Sequence, residues 1–191
     1  MADSARWKTA QVLELAETSP LTYEWRETGL IWAKAEHQKR RDLLSSNSVM
    51  QRTVKLTVRR GGAYPEITLR HALRLVEGHC HPTDIDGDDP GWLTVTAALI
   101  EPVACEAPAG GGAWGPGALT FPGILAEKWL RQSQEEPMSH SEDRYMLITP
   151  KEIELAAGGL VTAGGTTCAI AVAHTLDPYK NEYEIVWRRD N

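Results

Sequence analysis

Shifting the sequence against itself by 88 residues lays Cys80 on Cys168 and the dipeptide Asp89-Pro90 on Asp177-Pro178 without a gap. In the same register Trp92–Leu99 falls on Lys180–Trp187, and a glycine-bearing turn precedes each cysteine, Glu77-Gly78 in one copy and Gly164-Gly165 in the other. A short deletion brings Arg52-Thr53-Val54-Lys55-Leu56 onto Arg144-Tyr145-Met146-Leu147-Ile148, and sets Trp32 and Trp129 in similar places ahead of a polar loop. An order of elements repeated at a fixed offset marks a duplicated supersecondary unit. Whatever the first half folds into, the second half must approximate. The second copy is shorter, and the alignment gives it no counterpart of the strand expected at Val12–Leu15.

The repeated elements read as strands. In Val49–Arg60, Val54, Leu56 and Val58 alternate with Lys55, Thr57 and Arg59, the period-2 pattern of a half-buried strand. Trp25–Ala35 reads as a hairpin arm or long strand around Ile31 and Trp32, and Trp92–Ile100 as a strand ended by Pro102. Ile67–Glu77 is open between a helix and two short strands. Thr167–Ala173 and Glu182–Trp187 are the last two strands, with Glu182 and Glu184 on the wet face of the latter. The Gly/Pro-rich stretch Ala107–Gly117 cannot support regular structure and reads as a linker. The expected fold is therefore mainly β: two small β-barrel-like units in tandem, residues 1–105 and 120–191, joined by a linker over 106–119.

Composition narrows the function. A net charge of −6 over 191 residues argues against a general nucleic-acid binder, which is normally basic. Three cysteines are too few, and odd in number, for a disulfide framework, which fits a reducing compartment. No run of about 18 apolar residues offers a transmembrane helix, and no apolar core follows Met1–Lys8 as a signal peptide requires. Seven Trp against one Phe is the unusual feature, since Trp anchors both small β cores and subunit contacts.

Candidate chemistry is sparse. His79-Cys80-His81 with Asp84, Asp86, Asp88 and Asp89 has the residue types of a metal site, yet neighbours along a strand face opposite ways and no second Cys/His pair exists for zinc. Read as a calcium loop from Asp84, the sixth position is Asp89 where Gly is needed, and the twelfth is Val95 where a bidentate Glu is needed. No Gly-x-Ser-x-Gly elbow or phosphate-binding Gly-rich loop occurs. The expectation is a chain without catalytic residues, metal or cofactor.

The order of parts in the first unit resembles the head–tail joining, or head-closure, proteins of tailed phages. The resemblance is carried by Val12–Leu15, the strand centred on Ile31-Trp32-Ala33, the polar loop after it, the alternating strand ending in Val58-Arg59-Arg60, and the closing strand Trp92–Leu99. It covers about residues 10–105 well and 120–191 loosely, and two units in one chain depart from the usual single one. It implies a β-barrel that assembles as a homo-oligomeric ring between portal or adaptor and tail proteins. Such a chain is made in the bacterial host cytoplasm and carried in the virion, touches packaged DNA transiently, and can be a monomer until it meets the portal. It also implies that the loop His37–Ser48, with Lys39, Arg40 and Arg41, faces the DNA channel. Trp32, Trp92, Trp129 and Trp187 are the assembly or core aromatics, with Trp32 expected in the core. Alternatives are another phage morphogenesis part (tail completion or minor capsid) and a cytoplasmic β-barrel module that binds a peptide or nucleic acid.

Overall fold

The structure, a computed structural model, describes residues 7–37, 52–61, 64–109, 117–127 and 144–187. Its twelve strands are β1 (Trp7–Ser19), β2 (Thr22–His37), β3 (Arg52–Arg59), β4 (Ala72–Leu75), β5 (Gly78–Asp86), β6 (Trp92–Leu99), β7 (Val103–Pro108), β8 (Ala118–Glu127), β9 (Arg144–Pro150), β10 (Leu160–Ala163), β11 (Thr166–His174) and β12 (Lys180–Trp187). No described segment is helical, so Ile67–Glu77 resolves into β4 and its flanking turns. No described helix is therefore long and apolar enough to cross a membrane, which says nothing of membrane-spanning strands.

All twelve strands belong to one hydrogen-bonded order, and within it the pairings close into two rings of six. One runs β1-β4-β5-β6-β3-β2 and returns to β1; the other runs β7-β10-β11-β12-β9-β8 and returns to β7. Counted within its own ring, each has the order 1-4-5-6-3-2. Two compact units follow the rings. Among described residues the first holds 7–16, 24–37, 52–61 and 64–101, and the second holds 17–23, 102–109, 117–127 and 144–187. The tip of the β1–β2 hairpin thus belongs to the second unit, where Thr22 pairs with Thr120 and the Thr120 N–H donates to Leu21 O at 2.8 Å.

The 88-residue offset carries β4, β5 and β6 onto β10, β11 and β12 end for end. Fine details repeat with it. Cys80 and Cys168 are both buried at the third position of their strands. A one-residue bulge interrupts pairing with the next strand at Thr83 and again at Ala171. Asp89 accepts a hydrogen bond from the Gly91 N–H, as Asp177 does from the Tyr179 N–H.

Three sequence expectations need correction. β7 is the second unit's first strand: it pairs with β10 as β1 pairs with β4, so the second copy does have the counterpart it was expected to lack. The units divide between Glu101 and Pro102. The Gly/Pro-rich stretch is not a linker between units but the connection from β7 to β8, with Ala107 paired to Leu119 and Pro108 to Ala118; residues 110–116 lie outside the described residues. Finally, β3 and β9 match one residue away from the expected alignment. Thr57 faces Thr94 while Ile148 faces Glu182, so Thr57 corresponds to Ile148 and Leu56 to Leu147. A one-residue slip exchanges inward and outward faces, so this register decides which side chains correspond.

The interior of the first ring is filled by small or branched side chains, and the second also buries Phe121 and Tyr183. In the first unit Ala10, Val12, Ile31, Ala33, Val54, Leu56, Leu73, Cys80 and Val95 are essentially inaccessible. In the second, the tightest point is Gly123 on β8. A Cβ there would stand 2.8 Å from both Cys105 Sγ and Leu147 Cδ1. Gly123→Ala should cost about 1–3 kcal/mol by overpacking, read as a lower denaturation midpoint; an unchanged midpoint would mean that both neighbours move aside freely.

Candidate interaction surfaces

On β2, Ile31 and Ala33 point inward, while Leu30 and Trp32 point outward and are each 52% exposed. Trp32 is therefore not a core residue. The strand's alternation left one parity for the interior, and Ile31 and Ala33 fill it. On β3, Val54, Leu56 and Val58 are buried, and Lys55 and Arg59 are exposed. Ala33 pairs with Val58, which puts Trp32 and Arg59 side by side one position further on, and Arg59 pairs with Trp92 on β6. A row of Trp32, Arg59 and Trp92 thus crosses three strands on the outside of the first unit. The Trp7 ring lies 5.4 Å from that of Trp92, and both remain about two-fifths exposed. One step along from Trp32 on the same face, Lys34 forms an ion pair with Glu36 at 2.9 Å.

The second unit differs inside. The pairing register sets Thr149, Asn181 and Tyr183 where the first unit has Val58, Leu93 and Val95. All three polar residues are essentially fully buried. They converge on the connection that follows β9. The Ile153 carbonyl accepts from Thr149 Oγ1 at 3.1 Å, Asn181 Nδ2 at 2.9 Å and Tyr183 Oη at 3.1 Å. The Leu155 N–H donates to Tyr183 Oη at 2.9 Å, and Asn181 Nδ2 also donates to Lys151 O at 3.1 Å. Burial raises the Tyr183 hydroxyl above its usual range, which keeps it a donor. A backbone carbonyl buried without partners is costly, so this network fixes the connection in place.

The fixed connection forms one wall of a groove of about 370 Å³ in the second unit. Leu21, Pro108, Leu119, Leu155 and Leu160 are among its lining residues, and Glu154 is the one ionisable side chain among the described residues lining it. Elsewhere in this unit Trp187, 44% exposed, stacks on Tyr145 with ring centroids 4.8 Å apart.

Sequence reasoning found Trp92 and Trp187 as aromatics of interest, and both are partly exposed. Trp129 and the expected channel residues Lys39, Arg40 and Arg41 lie outside the described residues. It missed the groove and its polar support, although a signal exists in the exchange of apolar for polar residues at inward positions of the repeat. The His-Cys-Asp segment does not assemble a metal centre. Among the described residues no three His, Cys, Asp or Glu side chains converge as a metal requires. His79 Nδ1 instead contacts Glu101 at 2.6 Å, and burial pushes the Cys80 thiol up to about 12. Asp86 accepts from the Asp88 N–H within the turn.

Among the described residues His81 is the one strongly perturbed imidazole. Its Nε2 is buried without a hydrogen-bond partner among them, and burial, with nearby His79 adding to it, pushes the ring down to about 4. Because the unfolded chain titrates near 6.5, neutral His81 contributes stability that is complete above that value and is lost as pH falls toward 4. His81→Leu should flatten the loss of denaturation midpoint between these limits; an unchanged pH profile would show that other groups govern it. In the second unit, Asn181→Leu restores the first unit's residue and strips two carbonyls of a donor. It should lower stability by about 1–3 kcal/mol in thermal melts.

Comparison with family models, with curated proteins and with solved structures finds no match to this chain.

Proposed function

We propose that this chain is a structural, non-enzymatic component of a tailed phage or prophage particle that joins or closes the head at the head–tail interface by ring assembly around the DNA channel. The observation that carries the reading is the placement of apolar residues in the duplicated ring. The first interior is packed with small and branched side chains and the second also buries Phe121 and Tyr183, while Trp32, Trp92 and Trp187 stand outside. A packed interior leaves the outer faces to do the work, and Trp and Arg are the residue types that dominate protein–protein contacts.

The closed rings change how such assembly would proceed. Ring closure gives every strand a hydrogen-bonded neighbour on each side over part of its length, so the strand-edge pairing suggested by a β-rich sequence is confined to short stretches such as His81–Asp86, which β4 does not reach. The aromatic outer faces are the other contact surface. The groove of the second unit favours a second reading, a β module that binds an extended or aromatic partner.

Mass spectrometry of neck and capsid fractions from purified virions or induced prophage particles tests the proposal. A low copy number typical of a ring, found with the portal, is the expected result. Absence from every particle fraction would sink it and shift the weight to the cellular binding module.

A further inference from the structure

We infer that copies of this chain associate head to tail, with Trp32 and Arg59 of one copy seated in the Leu155–Leu160 groove of the next, against Glu154. The inference rests on the ring-assembly reading above and names the partner which that reading leaves open.

The two surfaces suit one another and not themselves. The projecting one offers an indole more than half exposed with a guanidinium beside it at the neighbouring register position. The receiving one offers an apolar concavity, at the lower end of the ~300–1,000 Å³ range of ligand sites, with a carboxylate as its one charged lining residue. An aromatic ring buried in a pocket with an adjacent charge-assisted pair is the usual form of an interface hot spot. If the Trp32 face met its own copy instead, Arg59 would approach Arg59, while Glu36 on the same face already offsets Lys34 and Lys55.

Charge is distributed to match. Residues 1–101 carry thirteen Lys and Arg against fourteen Asp and Glu, whereas residues 102–191 carry seven against twelve. Nearly all of the net negative charge thus lies in the half that holds the groove. Two groove-bearing halves repel one another most strongly, so charge disfavours their self-contact and leaves heterologous contact, the type that closes into rings or runs on as filaments. The groove's wall is held by Asn181 and Tyr183, so it is preformed. Binding there forfeits little ordering entropy.

Sedimentation velocity of the full chain over a range of protein concentration, at low and high salt, reads the association. It should strengthen with concentration and weaken with salt. Trp32→Ala and Glu154→Arg should each weaken it by about tenfold or more, and Arg59→Glu combined with Glu154→Arg should regain part of the loss by charge exchange. All three positions are exposed, so the variants keep the fold. Mixing Trp32→Ala, whose groove is intact, with Ala156→Trp, whose groove is filled, should yield one-to-one pairs and nothing larger. A chain monomeric at every concentration overturns the inference, as does association that these variants leave untouched or a mixture that still forms larger species. Particle location is read independently. A chain found beside the portal yet monomeric and indifferent to these variants removes this interface and leaves the connector reading standing; one that associates but is absent from particles does the reverse.

Discussion

Ring closure in each unit depends on its shortest strand. β4 and β10 have four residues each, and they are the only link from the first strand of the ring to the fifth. Three residue pairs join β1 to β4, and two join β7 to β10. Without them β1 and β5, or β7 and β11, would become open edges flanking an exposed core. The seam accordingly has the tightest local chemistry. Gly164 and Gly165, both at positive φ, form the two-residue hairpin turn that returns β10 into β11. The corresponding turn after β4 is Val76-Glu77, and Gly78, at φ 136°, opens β5 opposite Leu75. Cys80 pairs with Leu73 and Cys168 with Val161, which places a buried cysteine at each seam.

Closure also explains where the tryptophans go. Six strands enclose less space than the eight that just accommodate side chains in familiar small barrels. In the first ring alanine, valine, leucine and cysteine fill that space, and Trp32 lies outside despite its apolar neighbours in sequence. The second ring makes room for Tyr183 where the first has Val95.

What was legible in the sequence follows from the same physics. Period-2 alternation marked β3, and the gapless offset marked the last two strands of each unit, because paired strands tolerate few insertions without losing register. β7 was hidden because Val103–Pro108 runs straight into glycine, so the strand's end was read as part of a flexible stretch. The match of β9 to β3 slipped by one residue because Arg144 attracted Arg52, whereas backbone pairing puts Arg144 at the place of Thr53. The groove was illegible for a different reason. It depends on a carbonyl at Ile153 meeting side chains from β9 and from β12, about 30 residues downstream, and no local pattern announces such a meeting.

The three free cysteines are buried, and none is placed to react while its ring is closed. A thiol held near 12, as Cys80 and Cys105 are, has almost no thiolate at neutral pH and resists alkylation and oxidation alike. Its modification must await local opening. Cys80 sits in the first unit, and Cys105 and Cys168 in the second. The chain therefore carries its own pair of clocks: the rate at which each thiol becomes reactive measures how often its own ring comes apart, without any label being introduced.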